Sequence, residues 1–169
     1  GILHIQLARS LSAGRIMATD VSEYRLTAAQ RLGADVAIQA AKDVPDEVRR
    51  ANEGRLADRV IICTGAPAAI RQALSSVERG GTVMFFAVPP PGSDVAVPMS
   101  QFWRDEISLR TSYAASPGDI AKAIELIRER RVNVREMVTH RFPLDQTQKG
   151  FEMVAAAADS MKVIVNPQD

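Results

Sequence analysis

Asp20 is the acid whose position carries the most chemical meaning in this sequence. It closes a short apolar run, Arg15-Ile16-Met17-Ala18-Thr19, which reads as a buried strand, and a helix pattern opening at Gly1 precedes that run. A helix opened by glycine, then a strand, then an acid about 20 residues after the glycine matches the second half of a dinucleotide-binding fingerprint. The third glycine of that fingerprint, the place Gly1 fits, allows close helix–strand packing. The acid accepts hydrogen bonds from the hydroxyls of the adenosine ribose. A carboxylate there repels a 2′-phosphate, so Asp20 favours NAD over NADP. The same acid also suits a plainer task, capping the helix region at Ser22, and spacing alone does not choose between them. The first two fingerprint glycines and their strand are not in the sequence, and no Met leads it. The chain is therefore expected to begin partway through the fingerprint.

Other residues take meaning from the ends of apolar strands. Arg25 follows in the first turn of the next helix, where it can lie over the adenine face, reach a phosphate, or simply be solvated. Cys63-Thr64-Gly65 ends one apolar strand and Ala87-Val88-Pro89 another. Ligands of open α/β sheets bind outside the strands' carboxyl ends, so these stretches line the crevice if the sheet forms; otherwise they are turns. Cys63, inside its apolar strand, reads as a buried inert thiol rather than a nucleophile.

No catalytic set can be assembled from what remains. His4 and His140 are the two histidines and Cys63 the one cysteine. A multi-cysteine zinc site is excluded, no carboxylate–histidine cluster is visible, and no Ser–His–Asp or paired-carboxylate arrangement stands out. His140, single and on a strand, reads as structural. The mixed-sign run Arg128-Glu129-Arg130-Arg131 reads as a solvated helix end, not a nucleic-acid patch. Catalytic and metal-ligating residues are thus expected to be none in this chain.

The elements that must position these residues alternate. A first helix ends near Gly14, and a second runs from Tyr24 to Leu32 behind Ser22 as its N-cap, closed by Gly33. Val36-Ala37-Ile38 is a strand. Pro45-Asp46-Glu47 opens a helix running to about Glu53. Arg59 to Cys63 is a strand, Pro67 to Val77 a helix, Gly80-Gly81 a turn, and Thr82 to Ala87 an almost wholly apolar strand. Such runs predict strands covered on both faces, as in parallel sheets. Pro89-Pro90-Pro91-Gly92 is a rigid loop, and Ile107 to Tyr113 a fifth strand. The alternation predicts βαβ units and a parallel sheet up to about Ser116. Beyond it come a helix entered at Ser116-Pro117-Gly118-Asp119 with Ile120, Ala123, Ile124 and Ile127 on one face, a strand at Met137–Phe142, a further amphipathic face through Leu144, Gln148 and Phe151, and a strand at Met161–Val165.

Bulk properties narrow the class. The 169 residues are 46% hydrophobic and 24% charged with a net charge of +1, the profile of a soluble globular protein without a bulk pull toward nucleic acid or anionic membrane. No stretch approaches the roughly 18 uninterrupted apolar residues of a membrane span. The start lacks a signal peptide's basic region and cleavage site. A single cysteine fits a reducing compartment, so a cytoplasmic protein is expected.

Taken together, Thr19-Asp20 with Arg25-Leu26, Leu32-Gly33-Ala34-Asp35, Cys63-Thr64-Gly65, Gly80-Gly81-Thr82, Glu106-Ile107 with Ser112-Tyr113, Val138-Thr139-His140-Arg141-Phe142-Pro143-Leu144 and Gly150-Phe151-Glu152 resemble a known family. The chain looks like the C-terminal part of a medium-chain, zinc-type alcohol or polyol dehydrogenase, similar to sorbitol and threonine dehydrogenases.

The resemblance implies an α/β fold. Residues 1–115 would form a Rossmann-type NAD-binding domain, a doubly wound parallel sheet lacking its first strand. Residues 116–169 would form the C-terminal piece of the catalytic domain. It further implies that Asp20 and Arg25 hold the adenosine half of NAD. Cys63, Thr64 and Gly65 would pass near the cofactor, and Ala87, Val88 and Pro89 would lie close to the nicotinamide. The strand at 107–113 would be an edge that pairs with its copy in a homo-oligomer. Zinc, which in the family polarises the alcohol oxygen, would be held by an N-terminal half not present here. Without the first strand, the strands before Asp20 and at Val60 would lose the partner between them.

The implied activity of the parent is hydride transfer from a secondary alcohol, a polyol or hydroxy amino acid, to NAD, with this chain alone inactive. Two alternatives stay open. One is a zinc-independent quinone or enoyl reductase using NADPH. The other is a non-catalytic truncated nucleotide-binding or dimerisation module. Trp103 and Tyr113 are the large aromatics near the expected substrate pocket, and both also suit plain packing.

Overall fold

The computed structural model describes residues 1–156 and 158–168. The chain divides into two compact units, Gly1–Ala37 with Pro117–Asp169, and Ile38–Ser116.

In the first unit, α1 (Ile2–Ser10) leads to β1 (Met17–Asp20), then α2 (Glu23–Arg31) and the start of β2 (Val36–Gln39). β1 pairs with β2. Ile5, Ile16, Ala29 and Ala34 are buried together. Ser22 is the N-cap of α2 as expected, its hydroxyl accepting from the Arg25 N–H at 3.4 Å. α1 is pinned by charge: the Arg9 guanidinium reaches Asp35 at 2.6 Å and the Gly33 carbonyl at 2.9 Å, while Asp35 accepts the Ile16 N–H at 2.7 Å.

The same unit contains α6 (Pro117–Arg128), β6 (Val138–Pro143), a 3₁₀ turn at Leu144–Gln146, α7 (Thr147–Ala156) and β7 (Lys162–Asn166). β6 and β7 are parallel, with Phe142 opposite Val165. Gly150 in α7 lies over Phe142 and Val163, each 3.4 Å from where a Cβ would stand. Gln6 of α1 is buried and satisfied on both sides of its amide by the Asn133 backbone, at 2.6 and 3.2 Å. The Ile120, Ile124 and Ile127 face of α6 forms as the spacing predicts and stays exposed.

In the second unit, α3 (Val44–Ala51) begins at the Asp43 cap with Pro45 in its first turn. β3 (Ala57–Ile62), α4 (Pro67–Leu74), β4 (Val77–Phe85), α5 (Met99–Arg104) and β5 (Ser108–Thr111) follow. The sheet order is β3-β4-β5, all parallel, with Val60 opposite Val83 and Thr82 opposite Ser108. Ile62, Ile70, Leu74, Val77, Val83 and Phe102 make the core. Among the described residues β1 pairs only with β2, and β3 only with β4, so each has an unpaired edge.

Two expectations change, and one helix is found that the sequence pattern did not predict. Val77 belongs to β4, not to the preceding helix, because its side chain is needed in the core beside Val83. Gly80-Gly81 is not a turn between elements but lies within β4, as the irregularity that takes the register from Ala57 opposite Val77 to Arg59 opposite Thr82. In the apolar run at 82–87 Val83 is fully buried, whereas Ile61 of β3 and Leu109 of β5 are 41% and 40% exposed. α5, which shows no periodic run in the sequence, supplies Phe102, one of the two largest fully buried side chains.

Two carboxylates tie stability to pH. The Ile16 N–H, then the Arg9 guanidinium, holds Asp35 below the ordinary carboxylate range; the N–H groups of Leu56 and Arg79 do the same for Glu78. A carboxyl whose folded pKa is depressed adds stability above its unfolded value, about 3.9 for Asp and 4.3 for Glu. That stability is lost as pH falls through the lower folded value. The thermal midpoint is thus expected to drop on the acid side of about pH 4, and less steeply in an Asp35→Asn, Glu78→Gln variant. Midpoints measured from pH 7 down to the acid limit test this; identical slopes for the two proteins would remove the assignment.

Candidate functional site

The first unit brings Asp20, Ser22 and Arg25 together. Asp20 ends β1, and one carboxylate oxygen accepts the Ser22 N–H at 3.0 Å. The other stands 4.0 Å from the Arg25 guanidinium, with both side chains about one-third exposed (31% and 38%). The chain turns here because Asp and Ser satisfy the backbone donors at the entry to α2. The plain capping role of this stretch is real, and it leaves the second oxygen of Asp20 beside Arg25. Ser22, assigned from sequence only as a cap, is the residue that links these two. The Asp-x-Ser spacing was the signal for it.

Gly1 sits at the N-cap of α1, and a Cβ added there would meet no atom within 4 Å.

The second unit brings the two strand-end loops together. Cys63 follows β3, half-buried, with its sulfur 3.9 Å from the Ile61 carbonyl oxygen. Thr64 accepts the Ala66 N–H at 3.2 Å on its hydroxyl, which turns the chain into α4. Across from it, the Phe86 and Ala87 N–H groups both donate to the Ile62 carbonyl, at 3.1 and 2.9 Å. That extends the ladder past β4 and delivers Val88, 81% exposed, and Pro89 beside Gly65. A Cβ on Gly65 would fall 2.5 Å from the Val88 carbonyl oxygen.

The remaining candidates separate. His140 lies 3.1 Å from the Thr139 hydroxyl and stacks on Phe142 at 6.4 Å, a structural setting. Trp103 and Tyr113 are 82% and 99% exposed, so neither is packing within this chain. Trp103 lines a shallow groove of about 380 Å³ with Met99, Phe102, Glu106, Ile107 and Leu109. Zinc does not fit these residues: among the described ones no group of three or more His, Cys, Asp or Glu could hold a metal ion. Nor is any helix among them long and apolar enough to cross a membrane.

An α/β fold with parallel strand pairs and candidate residues past the carboxyl ends of β3 and β4 defines the class, and comparison with known proteins places the chain within it. The family profile described as zinc-binding dehydrogenase matches residues 1–129. The chain belongs to that family. Human sorbitol dehydrogenase is 31% identical over 156 residues, covering 90% of this chain and 43% of the relative, and mouse sorbitol dehydrogenase is 29% identical over 175 residues, covering 100% and 48%. An Escherichia coli oxidoreductase/dehydrogenase of unknown specificity superposes with a TM-score of 0.86 at 29% identity, over 98% of this chain and 48% of that one. A zinc-binding dehydrogenase from Sinorhizobium meliloti, solved bound to NADP, superposes with a TM-score of 0.89 at 24% identity, over 98% and 49%. The chain spans about half the length of the relatives it matches. Its fold is the Rossmann-like C-terminal part of such dehydrogenases.

Proposed function

We propose that this chain supplies the cofactor-binding surface of an NAD-dependent dehydrogenase that oxidises a secondary alcohol, a polyol or a hydroxy amino acid. The observation that carries the reading is the Asp20 carboxylate at the carboxyl end of β1. One of its oxygens is fixed by Ser22 and the other stands 4.0 Å from the Arg25 guanidinium, with 31% of the side chain exposed. Such a carboxylate suits a pair of ribose hydroxyls, which donate two hydrogen bonds. The sorbitol dehydrogenase relatives support a polyol as the alcohol.

Residues 1–115 are the nucleotide-binding part in this proposal, and residues 116–169 the end of the catalytic domain. Asp20 and Arg25 hold the adenosine half. The loops of Cys63, Thr64, Gly65, Ala87, Val88 and Pro89 face the cofactor, the second of them at its nicotinamide. Bound there, NAD supplies the hydride acceptor. Asp20 orients the ribose by accepting hydrogen bonds from its hydroxyls, and the loop backbones stand at the nicotinamide face. The metal of the family lies outside these residues in this proposal, so the chain alone does not turn over alcohol.

The β5 edge, exposed at all four residues, is proposed to pair with a second copy in a cytoplasmic homo-oligomer. A monomer in sedimentation at micromolar concentration would remove that part.

A specific observation favours NADP as a rival: Arg25 stands next to the acid, and an arginine there accommodates a 2′-phosphate. Calorimetric titration of NAD and NADP into the chain tests the reading, with NAD expected to bind more tightly. Equal or tighter binding of NADP would overturn the cofactor assignment. Steady reduction of NAD by the chain and a polyol would overturn its inactivity.

A further inference from the structure

Two glycines among the described residues sit where a side chain cannot stand. A Cβ on Gly81 would fall 2.6 Å from the Glu78 carbonyl oxygen and 2.7 Å from a Val77 methyl. One on Gly65 would fall 2.5 Å from the Val88 carbonyl oxygen, 3.3 Å from the Pro89 Cα and 3.4 Å from the Val88 carbonyl carbon. Gly81 lies at the middle of β4, whereas Gly65 lies just past the carboxyl end of β3, where ligands of open α/β sheets bind. The torsion at Gly65 is not in the left-handed region, so the backbone angle does not call for glycine there; the close approach does.

The obstacle is also firm. It is main chain rather than the tip of a side chain, and both loops are braced. Thr64 and Ala66 lead directly into α4, whose Ile70 and Leu74 are buried. Opposite, the Phe86 and Ala87 N–H groups hold the second loop to the Ile62 carbonyl, and Pro89 has its φ fixed by its ring. An added methyl at 65 must therefore displace Val88 and Pro89.

We infer that Gly65 is a positioning residue for the nicotinamide end of the cofactor: by carrying no side chain it lets the two strand-end loops touch, and this contact sets where the Val88–Pro89 backbone stands. The inference rests on the proposed reading of these loops as cofactor-facing.

The test compares NAD with ADP-ribose, which lacks only the nicotinamide, by calorimetric titration into the 169-residue chain. Gly65→Ala is expected to weaken NAD about tenfold, what one well-made contact contributes, and to leave ADP-ribose within about twofold. Gly81→Ala serves as the control, lowering the thermal midpoint without changing the ratio of the two affinities. If Gly65→Ala does not fold, Pro89→Gly loosens the facing loop without adding an atom at 65, and the same selective loss is expected.

An equal fall for both ligands, or no fall for NAD, makes Gly65 merely structural and overturns the inference. So does a wild type that binds the two ligands equally. A wild type that binds neither overturns the cofactor reading itself, and the role of Gly65 with it.

Discussion

Replacing Phe102 by alanine is expected to cost about 3–5 kcal/mol of stability, the range for truncating a buried aromatic. Phe102 is 2% exposed and packs in the core with Ile62, Ile70, Leu74, Val77 and Val83. Its helix is only six residues long, so packing rather than helix propensity keeps α5 in place. Domain stabilities run to about 5–15 kcal/mol, so this one change removes a large share. The thermal midpoint should fall by more than about 10 °C. The neighbouring Trp103 gives the control. It is larger but 82% exposed, and Trp103→Ala should stay within about 0.5 kcal/mol of wild type. Equal losses for the two variants, measured by thermal or urea unfolding, would mean that Phe102 is not the anchor.

Asp20→Ala is expected to reverse the cofactor preference. Hydrogen bonds to a charged group contribute about 1.5–3 kcal/mol, so NAD affinity should fall by roughly 10- to 100-fold. NADP affinity should rise, because the change removes the charge that repels a 2′-phosphate and leaves Arg25, now 4.0 Å from that charge, as its partner. Asp20→Asn separates the two roles of the residue. Its amide oxygen can still accept the Ser22 N–H, so the turn into α2 is kept while the charge is lost. It should therefore relax the discrimination while holding the thermal midpoint. Unchanged NAD affinity in Asp20→Ala would leave only the capping role. Loss of NAD affinity without any gain for NADP would remove Arg25 from the ribose end.

Much of the fold is legible locally. The cap at Ser22, the proline in the first turn of α3 and the apolar runs at 59–63 and 82–87 place elements within a few residues of where they stand. What was not legible has a common cause. α5 follows a proline-rich stretch and carries no helical periodicity, so its only signal is that Phe102 fits the core. Val77 continues the apolar spacing of α4 in sequence but is drawn into β4 by the partner strand. Gly80-Gly81 reads as a turn because both residues favour one, yet the strand resumes on each side. Exposure has the same cause: an apolar run specifies a strand but not how many of its faces are covered, so Val83 is buried while Ile61 is 41% exposed.

The sequence by itself determined the order of helices and strands apart from α5, the family resemblance, and the candidacy of Asp20, because these depend on residue types a helical turn or a strand apart. The tertiary structure alone decided that Asp20 and Arg25 are neighbours through Ser22, and that Gly1 is not pressed by any described atom. It also decided that Phe102 is core while Trp103 is exposed, and that Gly65 meets the Val88 carbonyl. The last of these joins residues distant in the chain. Their approach is set by strand register and by the bracing of both loops, and no local pattern of residue types encodes a distance of that kind.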